Sequence, residues 1–349
     1  MKRHANSVSG PVTIIDVARE AGVSYATVSR VINNEVYVKA ETRQRVTEAV
    51  TKLGYVGNRQ ARSLRGGRSH TIGLLVPDLS TSYVGEIARG IGNEIIKQQY
   101  DLMLYATHWR EQSEASYVET LTHGMVDGLL LVLPRSPQSY VERLRALRFP
   151  YVLIDHQGID CEGAAVGAAN LAGGYEGAKH LIELGHRRIG FITGDIRLGC
   201  SQERLQGYRN AMREADLCVD ERWIIEGNFL QPSGYHAATK LLQLAERPTA
   251  IFASNDIMAI GVMEAVRERG LRIPDDVSIV GFDNIPQAAN MHPTLTTVHQ
   301  PLEEMGRVAT QLLFEYMADI DLAEKRVVLP THLVVRNSCR AAEQSRVAL

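Results

Sequence analysis

Cysteine and apolar runs long enough to cross a membrane are scarce in this chain of 349 residues, and each scarcity excludes a class of function. Cys161, Cys200, Cys218 and Cys339 stand far apart with no paired spacing, which argues against a zinc site or a disulfide framework and for free thiols in a reducing compartment. The 11 histidines show no ligand spacing either, so no metal is expected. Neither a phosphate-cradling Walker loop nor a nucleophile elbow occurs, so no cofactor is expected and enzymatic chemistry has no carrier. Met1 to Gly10 hold no apolar run, which predicts neither a secretion signal nor a membrane span. Residues 1–11 read as a disordered basic tail, and the chain as cytoplasmic.

Net charge is close to zero, at −2, but its distribution is uneven. Residues 1–70 carry 12 Lys and Arg against 5 Asp and Glu, while the remaining 279 residues carry 26 against 35. A basic head supplies the salt-sensitive phosphate attraction that nucleic-acid binding needs, and an acidic body keeps the rest of the chain off the backbone.

The head also carries a motif. Thr13 is placed to cap a helix whose apolar residues Ile14, Val17, Ala18 and Ala21 recur at helical spacing, and Gly22 ends it where a positive φ is needed. Ser24 then caps a second helix. There Val28, Val31 and Ile32 make the buried stripe, while Tyr25, Ala26, Ser29 and Arg30 face outward. This is a helix-turn-helix, whose second helix enters a major groove. Arg30 offers a fork to guanine, Tyr25 reaches a base edge or phosphate, and Ala26 offers a methyl contact. A third amphipathic helix, with Val46, Ala49, Val50 and Leu53 inward, completes a headpiece over residues 12–56. Residues 57–68 are too short and too charged to bury a face, so this segment is only marginally helical by itself.

From Ser69 onward apolar runs alternate with helical patterns. Strands are predicted at 72–76, 101–105, 128–132, 151–154, 189–192, 250–253 and 278–282. Helices are predicted near 83–98, 111–123, 138–147, 170–184, 202–215, 233–245 and 257–269. Strict alternation implies parallel, doubly wound sheets. The length, residues 69–340, implies two lobes, with boundaries near 169 and again near 300 and 330. Residues 341–349 form a short tail, too poor in heptad leucines for a tetramerising coiled coil. Ligands of such sheets sit at the carboxyl ends of the strands. The polar residues there are Asp78, Asp155, Asn255 with Asp256, and Asp283 with Asn284. Tyr83, Trp109 and Phe229 are placed to stack on a sugar ring.

The run from Thr13 to Asn33 (Thr-Ile-Ile-Asp-Val-Ala-Arg-Glu-Ala-Gly-Val-Ser-Tyr-Ala-Thr-Val-Ser-Arg-Val-Ile-Asn) resembles the headpiece of the lactose-repressor/galactose-repressor family of bacterial transcription regulators. The resemblance extends from Val12 to about Ser338. It implies a three-helix DNA-binding headpiece, a hinge helix and a two-lobed core like that of periplasmic binding proteins, crossed three times by the chain. By this resemblance Thr13, Ser24, Tyr25, Ala26, Thr27, Ser29, Arg30 and Asn33 lie at DNA. Asn58, Ala61 and Leu64 belong to a hinge helix that orders on the operator, Leu64 wedging into the minor groove. Arg204, Asn255 and Asp283 match the family's effector-binding residues, Asp155 a pocket aspartate, and His186 a structural loop. Ala26 stands where the lactose repressor itself has a larger polar residue, which leaves the operator sequence open.

The expected partners are double-stranded operator DNA, a small-molecule effector of sugar type and a second copy of the chain, since a palindromic operator calls for two headpieces. A sugar that favours one lobe arrangement while DNA favours another gives induction. The purine-responsive branch of the family, in which ligand and DNA bind together, is the alternative. A soluble sugar-binding protein would leave the headpiece unexplained, and a sugar-modifying enzyme would lack its nucleophile. Leu64→Ala is expected to weaken specific operator binding while leaving ligand affinity unchanged. Parallel operator-shift and ligand-binding titrations check this, and an equal loss of both contradicts the wedge.

Overall fold

Short apolar runs decide the architecture. In the computed structural model, which describes residues 12–32, 37–55, 68–156, 163–318 and 325–342, the chain divides into two compact units, Met1–Ser69 and His70–Leu349.

The first unit is built on α1 (Ile14–Ala21), α2 (Tyr25–Ile32) and α3 (Ala40–Leu53). Val17, Val28 and Val46 are fully buried at its centre, with Ala18, Ala21, Val31 and Ala49 around them. Thr13 and Asp16 form a reciprocal capping box at the start of α1, and Gly22, with φ of 62°, ends it. That left-handed turn lets the chain reverse within two residues, where a side chain would be strained.

The strands of the second unit form two six-stranded sheets among the described residues. The first lobe holds β1 (Thr71–Val76), β2 (Asp101–Ala106), β3 (Gly128–Val132), β4 (Tyr151–Ile154), β5 (Ala165–Ala168) and β11 (Arg326–Leu329), in the order β11-β5-β4-β3-β1-β2. The second holds β6 (Ile189–Thr193), β7 (Ile224–Glu226), β8 (Ala250–Ala253), β9 (Ser278–Asp283), β10 (Thr296–His299) and β12 (His332–Val334), in the order β12-β10-β9-β8-β6-β7. All pairings are parallel except β10 with β12. Residues such as Leu74, Leu130 and Val152 are fully buried because helices cover both sheet faces. The chain passes between the sheets three times, after β5, after β10 and after β11.

The seven strands and seven core helices read from periodicity are all present. The pattern missed β5, β7, β10, β11, β12 and the helix Leu302–Ala318.

Covering the first sheet are α4 (Ser82–Lys97), α5 (Glu111–Thr122), α6 (Gln138–Ala146) and α11 (Leu302–Ala318). Covering the second are α7 (Asn170–Glu183), α8 (Gly199–Glu214), α9 (Gln231–Leu242) and α10 (Asp256–Glu268). Three helix pairs cross with their backbones almost touching. A Cβ on Gly90 of α4 would lie 1.9 Å from the Glu303 carbonyl oxygen, and one on Gly306 of α11 would lie 2.1 Å from that of Ile87. Gly174 and Gly207 play the same reciprocal part between α7 and α8, at 2.3 and 2.2 Å from Arg204 and Leu171 carbonyls. Gly234 and Gly261 do so between α9 and α10, at 2.1 Å each.

Gly207→Ala is therefore expected to force α7 and α8 apart and to lower stability by about 1–3 kcal/mol. Gly92→Ala, which meets nothing within 4 Å, should instead stabilise by about 0.5–1 kcal/mol through helix propensity. Chemical denaturation of both variants checks the contrast.

Candidate functional site

In the headpiece, the hydroxyl of Ser24 accepts from the backbone N–H of Thr27 at 3.1 Å and lies 2.9 Å from the Thr27 hydroxyl. Thr13 donates to Asp16 Oδ2 at 2.7 Å. Both capping side chains thus mark helix N-termini, where backbone N–H groups point outward and favour phosphate. Val28 and Val31 hold one side of α2 in the core, which leaves Tyr25 and Arg30 exposed and Ala26, Thr27 and Ser29 half-buried. Asn33, Asn58, Ala61 and Leu64 lie outside the described residues.

In the core, Tyr83, Trp109, Asp155, Arg204, Phe229, Asn255 and Asp283 come together around one cavity of about 20 Å³, with Pro77, Asp78, Thr81, Leu133 and Cys200 completing its wall. These residues arrive from both lobes, at the carboxyl ends of strands and on facing helices. The helix predicted near 202–215 begins at Gly199, so Arg204 sits in its second turn, beside the close crossing with α7.

Arg204 is 2% exposed, and its guanidinium has a partner on every side. Nε donates to Asn170 Oδ1 at 2.8 Å, Nη1 to the Ser254 carbonyl at 2.6 Å and Nη2 to Gln300 Oε1 at 2.8 Å. Asp155 Oδ2 and Asp283 Oδ1 lie 3.8 and 3.7 Å away. The Phe282 ring lies beneath the guanidinium at 3.8 Å from its centre. Asp155 is fixed in turn by the Tyr83 hydroxyl, which donates to Oδ2 at 2.7 Å, and by Gln300 Nε2 at 3.2 Å. Asn255 caps α10 by accepting from the Met258 N–H at 2.8 Å and donates to the Phe229 carbonyl at 3.1 Å.

Some buried polar atoms at this cavity have no hydrogen-bond partner: Asp283 Oδ1, Asp78 Oδ2 and Trp109 Nε1 on its wall, and Ser254 Oγ beside it. Burial pushes the Asp283 carboxyl well above the usual carboxylate range, against the pull of Arg204. The backbone is strained in the same place. Asp155, Asp283, Phe229, Trp109 and Leu133 all take positive φ, 103° at Asp283, a conformation that the surrounding fold must enforce.

Asp256, grouped at sequence level with the pocket carboxylates, is turned away from the cavity. It is fully buried, accepts from Thr297 Oγ1 at 2.6 Å and from the Ile285 N–H at 2.9 Å, and so clamps the loop that carries Asp283. Burial raises its pKa to about 7. Asn284 likewise turns elsewhere, towards His299 and Arg336. Asn170, Gln300 and Ser254 were missed. The first two flank crossings between lobes, so polar side chains near those crossings were the available signal. Among the described residues no group of three or more His, Cys, Asp or Glu converges as a metal site, and no helix is long and apolar enough to cross a membrane.

Comparison with known proteins follows the same division of the chain. Residues 13–58 match the family described as bacterial regulatory proteins, lacI family, and residues 178–339 match a periplasmic binding protein-like domain. The HTH-type transcriptional repressor PurR of Mannheimia succiniciproducens is 35% identical over 329 residues, covering 94% of this chain and 98% of that protein. The lac repressor dimer bound to operator and the anti-inducer ONPF aligns with a TM-score of 0.84 at 28% identity, over 95% of this chain and 100% of that one. The complex of the transcriptional regulator CelR with cellobiose aligns with a TM-score of 0.70 at 33% identity, over 94% and 99%. With the likeness running through headpiece and core alike, the chain belongs to the lacI family of DNA-binding transcription regulators, which control genes rather than catalyse reactions.

Proposed function

We propose that the protein is a repressor that holds a palindromic operator as a homodimer through Tyr25, Ala26, Ser29 and Arg30, and that an uncharged sugar bound in the core cavity releases it. The observation that carries the ligand reading is the imbalance around Arg204. Three aspartates, Asp78, Asp155 and Asp283, line the cavity with one arginine, and two of them present acceptor oxygens that receive no hydrogen bond. Vicinal hydroxyls donate and accept together and satisfy such a set, whereas a phosphorylated sugar meets net negative charge. Tyr83, Trp109 and Phe229 supply apolar faces for a ring. The cellobiose complex of CelR supports the sugar class, and the lac repressor dimer on its operator supports the assembly. The aromatic lining also suits a flat heterocycle, which favours one alternative, a purine acting as corepressor.

The cavity of about 20 Å³ holds little more than one water, so a ring enters only when the lobes part. A ligand that stabilises one lobe arrangement and DNA that stabilises another must weaken each other by the same factor.

A thermal-shift screen of the full chain against neutral sugars, phosphosugars and purines is expected to give a raised melting point with a neutral sugar, and that sugar is expected to weaken operator binding. A purine that raises the melting point and tightens operator binding reverses the reading. Asp283→Asn should weaken the bound sugar by about 10- to 100-fold, the loss of one or two charge-assisted hydrogen bonds. The wild-type site has a defined pH sign. Sugar hydroxyls favour the carboxylate, so protons compete with the ligand; affinity rises with pH up to the elevated pKa of Asp283 and levels above it. Calorimetric titration in buffers of different ionisation enthalpy reads the released proton directly.

A further inference from the structure

We propose that Arg135 and Asp195 form a latch between the lobes, which a ligand must open to reach the cavity and which closes again beside Trp109. Arg135 follows the end of β3 in the first lobe, Asp195 follows β6 in the second, and Arg135 Nη2 lies 2.9 Å from Asp195 Oδ2. Their side chains are only 13% and 7% exposed, so water and salt screen the pair weakly.

Both halves are held in place before they meet. On the first lobe, the Glu114 carboxylate accepts from the backbone N–H of Arg135 at 2.9 Å and of Ser136 at 3.2 Å, which fixes the direction in which Arg135 leaves its loop. On the second, Arg197 Nε donates to Asp195 Oδ1 at 3.0 Å and Nη2 donates to Oδ2 at 2.7 Å. Arg197, with Arg135 beside it, keeps the Asp195 carboxyl below its usual range and therefore charged.

The pair is tied to the cavity through an aromatic ring. The Arg135 guanidinium lies over Trp109, 4.6 Å from the ring centre, and Trp109 is part of the cavity wall. Separating the lobes enough to admit a ring pulls Asp195 away from Arg135, and the arginine then keeps only the indole. The latch therefore disfavours the open arrangement and slows admission and release alike, whichever ligand the cavity takes.

The chain has two tryptophans, so a Trp223→Phe background leaves Trp109 as the reporter. In the full-length protein without ligand, Asp195→Asn is expected to raise acrylamide quenching of Trp109 about twofold or more, with a red-shifted emission. Arg135→Gln should do the same, and the double variant should add nothing to either single change. The latch is overturned if Asp195→Asn quenches like its parent, or if the two effects simply add. Should Asp195→Asn fail to fold by circular dichroism, Arg135→Gln alone decides: quenching equal to the parent's overturns the proposal.

Discussion

A guanidinium taken out of water loses several kcal/mol of solvation unless the protein replaces it, and the core is organised around doing so for Arg204. The replacements come from separate places: Asn170 just after the first crossing between lobes, Gln300 just after the second, Ser254 at the end of β8 and Asp155 from the opposite sheet. No one lobe supplies them all. The arrangement of lobes that satisfies Arg204 is therefore also the arrangement that assembles the cavity wall, and a change in lobe position alters the hydrogen bonding of the charged group at its centre. That is the physical content of coupling between a ligand here and a partner elsewhere on the chain.

Around this arginine the backbone is held in conformations it would not choose. Asp283 and Asn284 take positive φ in succession, and the buried carboxylate of Asp256 holds the following residue, Ile285, by its N–H. The strain aims Asp283 at Arg204 while leaving one of its oxygens without a hydrogen-bond partner. A strained, unsatisfied acceptor is an unstable arrangement by itself.

Much of this was legible in the residues. Continuous apolar runs mark the central strands because both sheet faces are covered, and the rule that ligands gather at strand ends points to Asp155, Asn255 and Asp283, which line one cavity. The strand Ala165–Ala168 escaped because Ala-Val-Gly-Ala carries too little apolar bulk to stand out. Strands β7 and β12 escaped because three residues show no period. The helix predicted near 202–215 starts three residues earlier, at Gly199. The partners of Arg204 could not be read locally at all, since Gln300 lies 96 residues away along the chain. The difference between Asp256 and Asp283, one a clamp and one a cavity-facing acid, depends on which way each side chain turns at its strand or helix end.

The glycine-lined helix crossings bear on how the core can move. Sliding one helix of such a pair along its partner would drive neighbouring side chains into the backbone that the glycines let approach, so shear within a lobe is sterically blocked. Each lobe then behaves as a stiff plate, and the two plates share three wires, the short chain segments after β5, β10 and β11. Deformation is concentrated in the wires because it is forbidden in the plates. The stiffness of a few residues around Ala169, Gln300 and Thr331 therefore sets how far one lobe can turn against the other.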